Sequence, residues 1–443
     1  MTALRLDKLS LTNFRCFAHC EVAFHSRLTV LVAENGSGKT AVLDAAGAAL
    51  SVFVNALYPS EKVRRIERGD VRLIPGQERS MSPCLPTEYE AQATVRDTAV
   101  TWKSAVRTYG DKVRSGFRHL DPMKEAAQPF LSDTAVLPLI AYYGTGRLWS
   151  EQRQTEYRRS SATNVGERVA GYADCLTSSS SFKGISAWFE HRFRQTASPL
   201  FRESLQANLA MIEGVKTATD MVLQPTGWSS LRWDDELHTL TAKHETRGEL
   251  PLSMLSDGVR TMLALVADVA RRCASLNPQL SDRAAIETPG ILIVDEVDMH
   301  LHPRWQQQVL GLLQAAFPAL QIIVSTHSPH VLSTVDKSSI RVLHINNGDG
   351  VTETPQIQTR GVESAGVLAT VMDVDPVPQV EEATALSAYR KIIEAGEAEG
   401  PEASALRQRL IEHYGESHQV ILDADRLIRF QRFRLAKSRQ EGA

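Results

Sequence analysis

Apolar and polar residues alternate from Leu4 to Phe14 (LRLDKLSLTNF), the two-residue period of a half-buried strand. Val22–Phe24 and Leu28–Val32 predict two more strands, and the second runs directly into AENGSGKT. The stretch AVLDAAGAALSVFVNAL behind it predicts a helix. Residues 61–120 are mixed, with short strand candidates at Ala91–Val95 and Val100–Trp102. Val136–Tyr143 predicts another apolar strand, closed by Gly144-Thr145-Gly146-Arg147.

Residues 150–184 are polar and include the run Ser178–Ser181, the composition of a flexible connector. Ile185, Phe189 and Phe193, then Leu205, Leu209 and Ile212, recur at helical spacing on either side of Pro199, which predicts two helices. Short strands are expected between 219 and 252, a helix over 259–273, a buried strand at Ile291–Val294 and a helix over 304–316. Gln321–Ser325 predicts a second buried strand, and Ile340–Ile345 alternates as an edge strand does. From about 379 the pattern is helical to the end, and no internal repeat stands out. Strands and helices in this order predict an α/β protein.

Composition narrows the class. The chain has 443 residues, 43% hydrophobic and 23% charged, which excludes a disordered chain, a collagen and a coiled-coil rod. A net charge of −3 excludes a generally basic nucleic-acid binder but leaves room for a local basic patch. Residues 376–425 carry ten acidic and four basic residues, whereas 426–440 carry six basic and no acidic ones. Cys16, Cys20, Cys84, Cys175 and Cys273 are odd in number and scattered, poor material for a disulfide framework. Cys16 and Cys20 bracket His19 without a second pair at zinc-finger spacing, so the expectation is buried or half-buried thiols. The start, MTALRLDK, is charged too early for a signal peptide, and no apolar run of about 20 residues is apparent. A cytoplasmic protein with no membrane contact is expected.

Four motifs carry chemistry. Gly36-Ser37-Gly38-Lys39-Thr40 lies between a strand and a helix, where backbone N–H groups and the helix N-terminus can cradle phosphates. Asn35 and the loop glycines would approach the phosphates, Lys39 would reach the β- and γ-phosphates of ATP, and Thr40 would hold Mg²⁺. The full pattern has glycine where this chain has Ala33. Ile291-Leu292-Ile293-Val294-Asp295-Glu296 is a strand buried on both faces that ends in two carboxylates. Asp295 is a candidate Mg²⁺ ligand, and Glu296 a candidate base for an attacking water. Ser325-Thr326-His327-Ser328-Pro329 ends the next buried strand, where His327 can donate to a γ-phosphate oxygen. Leu255-Ser256-Asp257-Gly258 opens a helix, where Ser256 and Gly258 can make a second phosphate-binding surface, Ser256 or Asp257 can cap the helix, or both hold.

Together these residues resemble the ABC-type ATPase heads of the SMC, RecF and OLD families. The resemblance makes Ala33–Thr40 the Walker A loop, Ile291–Glu296 Walker B, Ser256 and Gly258 the signature, Asp298 part of the D-loop and His327 the switch histidine. It also places Arg15, in Asn13-Phe14-Arg15, near the nucleotide, and implies a homodimer or higher homo-oligomer with each ATP between two subunits. Asp257 and Val259 depart from the signature. No Q-loop glutamine can be assigned, Gln152 and Gln154 being the nearest beyond Tyr143–Arg147, so slow turnover is compatible with the pattern. AYYGTGRLW, LSDGVRTMLALVADVARR and DEVDMHLHPRWQ look most like the ATPase subunits of Septu anti-phage systems (PtuA), including retron-linked versions. That implies an ABC-type P-loop ATPase head over 1–350, a helical insertion at about 148–215, and a C-terminal helical region over 351–443 for partner or subunit contacts. It also implies a PtuB-like HNH nuclease partner that engages nucleic acid through the complex. The rival readings are a RecF-like DNA-repair ATPase acting without a nuclease, and a nucleotide-bound scaffold with negligible hydrolysis.

Overall fold

The computed structural model describes residues 3–76, 80–109, 115–116, 120–148, 168–177, 182–197 and 205–441. Gln152, Gln154, the run Ser178–Ser181 and Pro199 lie outside them. The chain divides into two compact units, Met1–Met372 and Asp373–Ala443.

In the first unit β1 (Leu4–Phe14), β2 (Phe17–Ala23) and β3 (Leu28–Val32) lead into α1 (Lys39–Leu57). A two-stranded ribbon, β4 (Leu73–Pro75) and β5 (Met81–Pro83), precedes β6 (Thr87–Val95), β7 (Thr98–Val106), β8 (Ser115–Gly116), α2 (Asp121–Ala127) and β9 (Leu139–Tyr143). Two helices, α3 (Phe182–Ala197) and α4 (Leu205–Leu223), follow, then a three-stranded sheet of β10 (Trp228–Asp234), β11 (Thr239–His244) and β12 (Gly248–Pro251). Next come α5 (Asp257–Leu276), α6 (Ala284–Glu287), β13 (Gly290–Val294), α7 (Pro303–Gln306), α8 (Val309–Ala316), β14 (Leu320–Ser325) and α9 (Pro329–Leu332). The unit closes with β15 (Ile340–Asn346), β16 (Asp349–Glu353) and α10 (Ser364–Val371).

Eleven strands form one mixed sheet, in the order β8-β7-β6-β1-β2-β16-β15-β3-β14-β13-β9. Its parallel part, β3, β14, β13 and β9, is buried at every position, which is why those segments read as unbroken apolar runs. Its antiparallel wing alternates instead: every second residue of β6 is buried. Between the two lies α1, held by the Trp102 indole N–H and the Tyr89 hydroxyl, which donate to the carbonyls of Ala49 and Ala48. With 19 residues and many alanines, α1 is long and apolar enough to cross a membrane, contrary to the sequence expectation, but it is mostly buried inside the fold.

Three expectations need correction. β15 is an interior strand: it pairs parallel with β3 and antiparallel with β16, and β16 joins β2 where Gly350 faces Cys20. A Cβ at Gly350 would stand 2.7 Å from the Cys20 sulfur, so only glycine closes the sheet there. The helix expected over 304–316 is two, because the Gln308 N–H turns back three residues to the Trp305 carbonyl. The division between units falls after Met372 rather than after 350. β16 is bonded into the sheet, and α10 buries Val367 and Val371 in the first core.

The second unit is three helices, α11 (Glu381–Glu394), α12 (Pro401–Tyr414) and α13 (Gln419–Glu441), around a small core of its own. Tyr389, Ile393, Leu410 and Ile421 fill it, and Arg407 clamps α12 to α13 by two bonds to the Asp425 carboxylate of 2.9 and 3.0 Å.

Candidate nucleotide site

The phosphate loop sits at the end of β3, where parallel α/β sheets place ligands. Gly36 and Gly38 have φ of +82° and +89°, a region that favours glycine. Gly38 is doubly required, since a Cβ there would lie 2.2 Å from the Phe17 ring and 2.6 Å from the Cys16 sulfur. Ala33 does not have positive φ, so its methyl replaces glycine without backbone strain. No side chain caps α1, which leaves its first N–H groups open to an anion. Lys39 is buried, and its Nζ donates to the carbonyls of Ala33 (2.7 Å) and Glu34 (3.1 Å). Burial lowers the pKa of its ammonium, against the pull of Asp295, Glu296 and Asp298.

The acidic strand meets this loop. The Thr40 hydroxyl donates to Asp295 Oδ2 at 2.8 Å, joining residues 255 positions apart. Ser325, at the end of β14, donates to the other oxygen of Asp295 and accepts the Glu296 N–H at 2.7 Å. Asp295 is thus 1% exposed but satisfied on both oxygens. Glu296 has φ of +47°. Thr326 donates to Asp298 at 2.5 Å and accepts the Ser328 N–H. His327 is half-buried; burial and the Lys39 charge lower its pKa, and Asp298, Glu296 and Asp295 act in the opposite sense. Lys39, Thr40, Asp295, Glu296 and His327 therefore share one electrostatic field.

Other candidates stand apart. Ser256 is exposed at the N-terminus of α5 and makes no side-chain cap bond. The Asp257 carboxylate turns to Arg260, 2.8 Å away. Gly258 packs on the D-loop of its own chain: a Cβ would meet the His300 carbonyl oxygen at 2.4 Å. Arg15 binds carboxylates, Asp44 on α1 at 2.7 Å and Asp70 at 2.8 Å; burial alone would lower its pKa, and the two acids raise it. Asn35 is exposed on the loop, and Ser37 bonds back to the Glu34 carbonyl.

Sequence reasoning missed Ser325 and Thr326, which orient Asp295 and Asp298, although the polar run behind an apolar strand was visible. It also missed Asp44, which gathers Arg15 and Arg64 on α1. Nothing local to Asp44 signals this.

The sheet, the phosphate loop and the acidic strand define an ABC-type P-loop ATPase head. Two family models match the chain: "AAA domain" over residues 8–186, and "AAA domain, putative AbiEii toxin, Type IV TA system" over 157–333. The "Retron Ec83 probable ATPase" of Escherichia coli is 25% identical over 95% of this chain and 86% of its own length. The "Retron Vc95 probable ATPase" of Vibrio cholerae is 22% identical over 93% of this chain and 88% of its own. "Septu protein PtuA" of Bacillus thuringiensis is 22% identical over 84% and 85%. Among solved structures, the "SMC head domain from Thermotoga maritima" overlaps with a TM-score of 0.42 at 16% identity, covering 80% of this chain and 100% of that one. The chain is a homologue of the retron ATPases and of Septu PtuA.

Proposed function

We propose that this chain binds and hydrolyses Mg-ATP as the ATPase subunit of an anti-phage defence complex, in which it scaffolds and regulates a separate HNH nuclease. The observation that carries the reading is the Thr40–Asp295 bond, which brings the phosphate loop and the acidic strand to one point. Hard oxygen donors there suit Mg²⁺, and the open N–H groups of α1 suit a triphosphate. Bound Mg²⁺ would neutralise charge on the phosphates, held by Thr40 and, directly or through water, Asp295. Lys39 would pair with the β- and γ-phosphates, Glu296 would take the proton of the attacking water, and His327 would donate to a γ-phosphate oxygen.

Pairing of two copies is supported by the exposure of Ser256 and Asp257, which leaves the signature surface open to a neighbour. Homology to Septu PtuA and the retron ATPases supports the defence role. The nuclease and its nucleic acid come from the Septu resemblance. A second reading, in which ATP holds the assembly together with negligible turnover, follows from the departures at Asp257 and Val259, although the Arg260 partner of Asp257 offsets the repulsion its carboxylate would exert on a γ-phosphate.

The test is phosphate release by the purified chain, with and without a PtuB-like HNH nuclease and DNA, together with calorimetric ATP binding. The expected result is Mg-dependent ATP binding with turnover, and no cleavage of DNA or RNA by the chain alone. Binding without turnover selects the second reading, and no ATP binding overturns both.

A further inference from the structure

Tyr143 ends β9 and is 3% exposed, yet it uses both of its polar groups. Its carbonyl accepts the Asp295 N–H at 2.8 Å. Its hydroxyl donates to Asp268 Oδ2 at 2.7 Å on α5, the helix that Ser256 and Asp257 open. One residue therefore touches the acidic strand through its backbone and the signature helix through its side chain.

The far end of that bond is firmly held. Asp268 is 1% exposed, and Arg272 Nε and Arg271 Nε donate to its two oxygens at 2.8 and 3.0 Å. Arg272 continues to the carbonyls of Gly171 and Ala173 at 2.9 and 2.8 Å. Burial would raise the pKa of the carboxyl, but the two guanidinium groups hold it well below the usual carboxylate range, so it stays ionised. A buried ionic cluster of this kind is seldom a stability device, since apolar residues of similar volume commonly do as well. It does supply direction. Apolar contacts let a helix slide or roll, whereas directional bonds to neighbouring elements, from Tyr143 to Asp268 and from Arg272 to the Gly171 and Ala173 carbonyls, do not. Asp268 lies eleven residues from Asp257, about three turns or roughly 16 Å along a stiff helix, so fixing one end sets the other.

We propose that Tyr143 is a positioning residue for ATP turnover: its carbonyl seats Asp295, and its hydroxyl, through Asp268, sets the signature helix in register with that carboxylate. The neighbouring tyrosine anchors the opposite side. Tyr142 packs on α1, where a Cβ at Gly47 would lie 3.5 Å from its ring, so β9 meets the phosphate-loop helix through one residue and the signature helix through the next. The inference rests on the ATPase reading above.

The experiment compares the full wild-type chain with Tyr143→Phe, which removes one oxygen and leaves Asp268 both of its arginines. Asp268→Ala strips the cluster and can fail to fold, so the tyrosine variant decides. With Tyr143→Phe, kcat should fall roughly tenfold to a hundredfold, the scale of a small misplacement of reacting groups. KM for ATP and calorimetric ATP affinity should stay within about twofold, because the phosphate loop is untouched. The same substitution in a Glu296→Gln background should weaken ATP-dependent pairing, read by sedimentation, while ATP still binds. An unchanged kcat, or kcat and ATP affinity falling together, overturns the inference and leaves the ATPase reading standing. If the wild type binds ATP without turning it over, the pairing arm decides: unchanged pairing overturns the inference. A wild type that binds no ATP overturns the ATPase reading and this inference with it.

Discussion

The two halves of the candidate site are built in opposite ways. On the Walker side, Asp295 is buried and bonded to Thr40 and Ser325, Lys39 is buried against two carbonyls, and Thr326 holds Asp298. On the signature side, Ser256 and Asp257 are exposed, and the contacts of Asp257 and Gly258 run to Arg260 and the His300 backbone. A polar cluster can be buried only when its partners are present in the same chain, since an unpaired buried charge costs several kcal/mol. The Walker side meets that condition alone. The signature side meets it by staying in water, which is the arrangement expected of a surface completed by another molecule.

The largest effect should come from Glu296→Gln. The amide keeps the shape and cannot accept the proton, so turnover should drop roughly 10²–10⁴-fold while calorimetric ATP binding persists. The left-handed backbone at this position strains both residues alike, so the thermal midpoint should hardly move. A variant that hydrolyses at the wild-type rate removes Glu296 from the role. Lys39→Ala comes next. Losing a charge-assisted contact of about 1.5–3 kcal/mol should weaken Mg-ATP binding roughly tenfold to a hundredfold. Unchanged affinity would show that the loop does not hold a triphosphate.

The Walker side was also the legible side. Its strand, loop and helix are contiguous from Leu28 to Leu57, and β13 and β14 announce themselves as short apolar runs because both faces are covered. What stayed hidden are bonds across long sequence gaps: Ser325 to the Glu296 N–H, Arg15 to Asp70, Tyr143 to Asp268. Such a pairing leaves no period in the sequence, because each partner is an ordinary polar residue in its own segment. β15 misled for a related reason. Its later residues are exposed although the strand is interior, so its alternation reports the cover on its faces and not its place in the sheet. The signature was legible as a helix start, but its packing on His300 was not, since only the fold brings α5 to the D-loop.

That packing decides how the signature side should be probed. Gly258→Ala forces a methyl against a backbone oxygen and so confounds fold with function. Ser256→Glu avoids this. The position is exposed, and a carboxylate at the N-terminus of a 20-residue helix is favoured by its dipole by about 0.3–1 kcal/mol. The thermal midpoint should hold or rise. If the surface receives the γ-phosphate of a second copy, turnover should nevertheless fall about fivefold, from roughly 1 kcal/mol of repulsion in a water-like medium. Stability and turnover moving together would place Ser256 outside the site.

The smallest effect on ATP chemistry should come from the second unit. The first half of α13 is committed to its own core through Ile421 and Ala424, and Arg426 and Arg432 pair with Asp423 and Glu399. One turn apart on the same helix, Phe430 and Phe433 are 59% and 70% exposed. Each could bury about 150–250 Å² against a partner, worth roughly 25 cal/mol per Å². Replacing both (Phe430→Ser, Phe433→Ser) should leave ATP affinity within about twofold and stability within about 0.5 kcal/mol, as at other surface sites. If the proposed HNH nuclease docks on this face, the fraction that co-purifies should fall sharply, because two aromatic anchors can dominate a small interface. If the nuclease stays bound at the wild-type ratio, this face of α13 is not its dock. If ATP affinity falls instead, the second unit contributes to the nucleotide site, and the division of labour between the two units fails.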